Sequence, residues 1–276
     1  MNTNKAIQNH YSHGKLLQAI EAALPHLGKT PETLTIEDLA PMDEFHIGGR
    51  QATEHLFKQL RFSEQDHLLD VGCGIGGTAR YVHNLCHSRI TGIDLTEEFV
   101  VTGETLCAWL NMDSKIRLHV GSALATPFKD ASFDGAYMLH VGMNIADKAT
   151  LFKEIRRLLR PGSNFGVYDV MRHAAGELSY PVPWATDSST SSLGTIEDYT
   201  EALEKAGFDI EIVNNRQEFA LQFFEKLRAQ PATKNSPPPL SLHTIMQTTT
   251  AHKVNNMIEN ITSGLVAPVE IIAVLR

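Results

Sequence analysis

The stretch "LLDVGCGIGGTARYV", residues 68 to 82, places a carboxylate, Asp70, two positions before the first of four closely spaced glycines, Gly72, Gly74, Gly76 and Gly77. An apolar run that breaks into glycines and passes into a helical pattern is the place where a doubly wound sheet brings backbone N–H groups up to a nucleotide ligand. The spacing here is G-x-G-x-G-G, which differs from the G-x-G-x-x-G of pyrophosphate-binding turns. Asp70 would repel a pyrophosphate, whereas it suits a ligand carrying positive charge, such as an α-amino group beside a sulfonium. This argues against a nicotinamide dinucleotide. Asp94 closes "ITGID" eighteen residues after Gly76, where an acid can accept from both hydroxyls of a ribose. Its plainer role is to cap the helix that begins "LTEEFV".

Other chemistry-bearing side chains are more scattered. His46, in "DEFHIGG", is a base candidate as well as a candidate for capping or packing. His10, His13 and His173 are irregularly spaced, and Cys73, Cys86 and Cys107 show no paired ligand spacing, so no metal site is expected. The cysteines read as reduced thiols.

These groups need a scaffold. Residues 1–62 read as helices, with helical apolar spacing in "KLLQAIEAAL" and cap residues plus first-turn acids in "TPETLTIEDLA". From Asp66 onward, short apolar runs alternate with helical segments: "HLLDVG", "RITGIDL", "IRLHV", "FDGAYMLHV" and "NFGVYDVM". That alternation indicates an α/β fold with a parallel sheet and helices on both faces. Between Met171 and Thr195 the segment "RHAAGELSYPVPWATDSSTSSLG" is too long for a simple connection and reads as a lid, or as a surface excursion. A helix, "TIEDYTEALEKAGF", leads to "DIEIVNN"; a further helical stretch, a proline-rich loop "QPATKNSPPPLS" and the run "VEIIAVLR" follow. The division expected is a helical cap over 1–62 and a binding domain over 63–276 with a lid insertion near 172–194.

Composition narrows the partners. A formal net charge of −8 disfavours nucleic acid or an anionic membrane as a partner unless a basic patch is present. The densest basic cluster, "EIRRLLRPG", reads as the solvated side of a surface helix. No segment approaches the roughly 20 apolar residues of a membrane span, and the polar start lacks an apolar leader, so a cytoplasmic protein is expected.

The motifs taken together, "LLDVGCGIGG", "ITGIDL", "GSALATPFKDASFDGAYMLH" and "LFKEIRRLLRPGSNFGVYDV", in this order and spacing, resemble those of the class I S-adenosylmethionine-dependent methyltransferases. The resemblance covers nearly the whole chain. It implies a Rossmann-like seven-stranded, mostly parallel sheet of order 3-2-1-4-5-7-6, with S-adenosylmethionine as cofactor. Carried over residue by residue, Asp70, Gly72, Cys73 and Gly74 would hold the methionine portion and Asp94 the ribose. Leu95, Ser122 and Ala123 would edge the adenine, and Leu139 and His140 would lie near the sulfur. Where the family often reads "GDA" this chain reads "GSA", leaving Ser122 to accept from the adenine amino group.

A narrower likeness runs through "NHYSHGKLLQAI" and "FHIGGRQATEHL", similar to the start of phosphoethanolamine, sarcosine/dimethylglycine and ubiquinone-type methyltransferases. By that likeness Tyr11 would pair with His140 over the reaction centre, and Gly48 and Gly49 would contact the cofactor carboxylate. His140 would then act as base, against a structural role bonded to backbone. Ala136 stands where the phosphoethanolamine enzymes place an acid, and Val170 where they use a tyrosine, which speaks against a phosphobase. In the lid, Tyr180 and Trp184 offer rings to a cation or an aromatic acceptor, or simply pack; Arg172 offers a partner for a carboxylate, or is solvated. N-P-P-Y and a Pro-Cys nucleophile are missing, which favours a small acceptor over a macromolecule. The expected activity is methyl transfer to a small molecule, first to an amine nitrogen. Carbon or oxygen of a quinone-like or lipophilic molecule is the alternative, and a non-catalytic cofactor-binding protein stands as a third reading. Oligomeric state is open.

Overall fold

The computed structural model of the chain describes residues 3–229 and 238–276. Most of the proline-rich break expected as a loop, residues 230–237, lies outside the described residues. Seven strands form one sheet: β1 (His67–Val71), β2 (Arg89–Asp94), β3 (Ile116–Val120), β4 (Phe133–Leu139), β5 (Leu159–Arg172), β6 (Phe208–Asn215) and β7 (Val266–Leu275). Their order is β3-β2-β1-β4-β5-β7-β6. The first five run parallel, and β7 is antiparallel to both β5 and β6. The order reverses direction between β1 and β4, which is where such a sheet leaves a crevice at its carboxyl edge.

The local sequence explains the strands. Leu68, Leu69 and Val71 are buried on alternate faces of β1, as a central parallel strand covered on both sides requires. At the other edge, β6 alternates half-buried and exposed residues, the pattern of a strand with one wet face. Helices α7 (Lys148–Leu158) and α8 (Ile196–Lys205) cover one face, burying Leu151, Phe152, Ile155, Tyr199 and Leu203. Both have side-chain caps: Asp147 accepts from Thr150 N, and Thr195 and Asp198 form a capping box. In the basic cluster that ends α7, Arg157 pairs with Glu154 and Asp130, while Arg156 is exposed.

The opposite face is covered by α4 (Gly49–Phe57), α5 (Gly77–Cys86) and α6 (Glu97–Trp109). Further out, α2 (Leu16–Ala23) and α3 (Ile36–Asp43) pack Leu16, Ile20, Leu39 and Met42 against Phe99 and Leu106 of α6. Leu240 and Ile245, the latter from α10 (Leu242–Met246), complete that cluster. The helical layer over the crevice is thus built from both ends of the chain, with α1 (Thr3–Tyr11) at its rim. The 172–194 segment is a packed element and no surface excursion: Val182, Trp184 and Ala185 are buried against α9 (Gln217–Ala229) and α11 (Thr250–Thr262). No helix among the described residues is long and apolar enough to cross a membrane.

Candidate active site

The glycine turn after β1 divides its labour. Gly72 takes φ +72°, and a Cβ there would sit 2.3 Å from Val141, so both backbone and space demand glycine. Gly74 takes φ +53° but faces open space, with nothing within 4 Å of a hypothetical Cβ. Gly76 caps α5 in the left-handed region. Around the turn lies a cavity of about 330 Å³ at the carboxyl edge of the sheet.

Asp94 lines this cavity and does not cap α6, whose N-cap is Thr96. Its Oδ2 accepts from Gly74 N at 2.9 Å and its Oδ1 from Thr96 N at 2.8 Å. The carboxylate therefore holds the glycine turn and the entry to α6 at once. Burial raises its pKa, and the two amides oppose the rise. Cys73, Leu95, Ser122, Ala123 and Leu139 line the same cavity. Gln8 Nε2 donates to the Leu95 carbonyl at 2.8 Å, tying α1 to that wall.

Asp70 is not part of the lining. It sits beneath the turn, and its Oδ2 is buried without a hydrogen-bond partner. Burial pushes its carboxyl up to about 8, with the neighbouring Tyr137 hydroxyl opposing and Asp94 adding to the rise. At neutral pH the isolated group is therefore largely protonated, and a cation placed nearby would favour its ionised form.

Two imidazoles meet on the cavity wall. His46 and His140 have ring centroids 6.0 Å apart, and His140 lies 5.2 Å from the Tyr168 ring. His140 follows β4 with φ +55°, a conformation that side chains other than glycine adopt at a cost. Its Nε2 is buried with no partner, and burial beside His46 holds its pKa well below the ordinary value. His46 Nε2 lies 3.0 Å from the Gly49 carbonyl, which can only accept, so that nitrogen carries the proton. Thr53 Oγ1, 2.9 Å from the same nitrogen, donates its own proton to Glu44 Oε2. His46 Nδ1 is left with the lone pair. Burial drops the His46 pKa to about 4, so both rings are neutral at pH 7.

Tyr11 reaches the cavity but does not pair with His140. Its hydroxyl donates to Asn144 Oδ1 at 3.0 Å, because the short helical turn Gly142–Asn144 stands between β4 and the lid and presents the amide first. Asn144 Nδ2 in turn donates to the Trp184 carbonyl at 2.9 Å. Asn144 thus joins α1 to the lid; it is a residue no motif singled out, since its partners come from distant parts of the chain. Thr53 and Glu44, which set the His46 tautomer, carry no sequence signal either.

Other expected residues fall elsewhere. Gly48 caps α4 with φ +88° and packs beneath Phe219, and neither it nor Gly49 lines the cavity; the Gly49 carbonyl serves His46 instead. Arg172 is turned into the base of the lid, where its guanidinium donates to the Gly176 carbonyl, away from the cavity. Tyr180 belongs to the lid packing and does not reach the lining, whereas Trp184 is both buried and part of it. The Trp184 Nε1 donates to Ser191 Oγ at 3.0 Å. Among the described residues no group of three His, Cys, Asp or Glu side chains is placed to hold a metal ion.

Residues 69–167, which run from β1 through the cavity to β5, match the model of a methyltransferase domain. The chain is 26% identical over 199 residues to the methyltransferase GfsG of Streptomyces halstedii, covering 71% of this chain and 69% of that one. It is 28% identical to an O-methyltransferase of Pyrenophora dematioidea, over 75% of this chain and 76% of the relative. In fold it is similar to the geranyl diphosphate C-methyltransferase of Streptomyces coelicolor, with a TM-score of 0.71 and 18% identity over 100% of this chain and 99% of that one.

Proposed function

We propose, for a chain that carries the methyltransferase domain of the class I S-adenosylmethionine-dependent enzymes, that methyl transfer takes place at the wall formed by His140 and His46, onto a hydroxyl of a small molecule. S-adenosylmethionine-dependent methylation of a small molecule is the premise, and the hydroxyl acceptor and the roles of His140 and His46 go beyond it. The observation that carries it is the unpartnered, buried Nε2 of His140 on the cavity wall. A buried polar atom without a partner costs about 1–3 kcal/mol, a cost that a bound acceptor with a protic group would remove.

The residues of the turn fit the cofactor. Gly74 leaves open space where a ligand backbone or carboxylate would lie, and Asp94 keeps lone pairs beside it for ribose hydroxyls. Asp70, with an oxygen unsatisfied, would turn to its ionised form under a positive charge. Gly72 and Cys73 shape the methionine end, Leu95, Ser122 and Ala123 the adenine end, and Leu139 the floor near the sulfur. S-adenosylmethionine, when bound, supplies a methyl group already activated by its sulfonium.

The protein is left to orient the acceptor, exclude water and take one proton. An acceptor oxygen that gains a methyl group becomes far more acidic, so an imidazole of depressed basicity suffices. His140 holds the protic group through Nε2, and His46, with Nδ1 free and its tautomer fixed by Gly49 and Thr53, stands next to it. Tyr11 acts through Asn144, closing α1 over the chamber. A hydroxyl is favoured over an ammonium because the carboxylates of the lining are engaged: Asp43 by Arg80, Asp94 by two backbone amides, Asp147 by Thr150. The amine nitrogen keeps one observation on its side, the aromatic faces of Tyr11, Phe45, Phe99 and Trp184 on the same wall. A cytoplasmic setting belongs to this reading, since it keeps the three free cysteines reduced.

The test is to incubate the protein with methyl-labelled S-adenosylmethionine and a metabolite extract and to identify by mass spectrometry the atom that carries the label. Label on oxygen is expected. Label on nitrogen would replace the hydroxyl by the amine, and no label in any product, with S-adenosylhomocysteine still bound, would leave a binding protein without catalysis.

A further inference from the structure

A second cavity, of about 220 Å³, adjoins the first, and Tyr11, Phe45, Pro183 and Ile245 border both. Apart from Met246 its remaining wall is polar and includes Lys253, His10, His13 and Gln247, with no acidic side chain among the described residues. Lys253, from α11, is only 8% exposed, yet no carboxylate pairs with it among the described residues. Among the described residues its Nζ has a single polar neighbour, His10 Nε2, at 3.5 Å. That nitrogen also lies 2.9 Å from the Pro183 carbonyl, which can only accept, so His10 Nε2 carries a proton. Two donors therefore face one another. Close by, His13 Nε2 is buried with no partner. Glu98, the acid whose charge reaches His13, has its oxygens taken by the backbone amides of His13, Gly14 and Leu16.

A buried ammonium facing another donor, beside an imidazole nitrogen without a partner, lacks a negative group. We infer that this annex binds an anionic group, a carboxylate or a phosphate, of the methyl acceptor, whose other end lies against His140. The inference rests on the reading of the main cavity as a methyl-transfer chamber. Lys253 supplies the charge, His10 a fixed N–H, and His13 a second nitrogen without a partner. The acceptor is then a molecule with an apolar or aromatic body and an acidic end, long enough to cross the wall at Tyr11 and Phe45.

Calorimetric titration of pyrophosphate, and separately of malonate, into the wild-type chain and into Lys253→Met tests this, each with and without S-adenosylhomocysteine. At least one anion is expected to bind the wild type and to lose tenfold or more in affinity in Lys253→Met, while S-adenosylhomocysteine binds both within twofold. Pyrophosphate alone would identify a phosphate end, malonate alone a carboxylate end. Absence of binding by either anion to the wild type, or unchanged affinity in Lys253→Met, would overturn the annex. His13→Gln, with its smaller expected loss of about threefold, serves if the lysine variant does not fold. Failure of S-adenosylhomocysteine to bind the wild type strikes instead at the methyl-transfer reading, and the titrations without it still report on the annex.

Discussion

Gly72 and Gly74 are two residues apart and both adopt positive φ, yet substitution should expose different functions. At Gly72 an added methyl collides with Val141, so Gly72→Ala is expected to unfold at clearly lower temperature or fail to fold. At Gly74 the methyl meets nothing, and only the left-handed backbone cost of about 1–2 kcal/mol applies. Gly74→Ala should therefore fold, and lose S-adenosylhomocysteine affinity by tenfold or more in calorimetry. Full affinity in a folded Gly74→Ala would mean that the open space beside the turn is not where the cofactor lies. The sequence carried this much because glycine spacing and the two acids, Asp70 and Asp94, announce themselves by type. It did not carry hydrogen-bond partners: Tyr11 was expected on His140 and is on Asn144, and the buried Asp70 was expected to face the ligand directly.

At the scale of elements, the segment from His140 to Ile145 joins β4 to everything that closes the chamber. Lys148 Nζ donates to the Gly142 and Ser192 carbonyls, Ser192 N donates to the Met143 carbonyl, and Asn144 holds both Tyr11 and Trp184. Beneath it Tyr199 donates to Asp169 at 2.7 Å, filling the space that a side chain at Gly142 would need. Asn144→Ala removes one acceptor and one donor from this strap and is expected to cost about 1–3 kcal/mol. Hydrogen exchange should quicken in α1 and over residues 184–190 while β1 and β4 stay protected; uniform quickening would make Asn144 a general stabiliser instead of the link between cap and lid. The central strands β1, β2 and β4 were legible because each is a short apolar run, whereas β6 alternates half-buried and exposed residues. The lid was harder to read, since its serines and prolines suggest exposure while Val182, Trp184 and Ala185 are buried by elements distant in sequence.

For the whole molecule, the reversal of strand order between β1 and β4 fixes where the turn, Asp94 and the two imidazoles converge. The alternation of apolar runs and helices indicated the parallel sheet, and the resemblance of four successive motifs supplied its order. Neither indicated that α10, near the other end of the chain, completes the helical layer over residues 1–62, because that contact depends on tertiary packing and not on local pattern. The layer places the apolar chamber and the basic annex side by side, and His140 is proposed to serve the acceptor in that chamber and not the cofactor. The most direct test measures label transfer from S-adenosylmethionine to extract acceptors by wild type and His140→Gln, together with S-adenosylhomocysteine affinity on the same samples. At least a tenfold loss of transfer is expected in His140→Gln with affinity within twofold of wild type; equal transfer by the two proteins, or parallel loss of transfer and affinity, would show that His140 does not serve the acceptor.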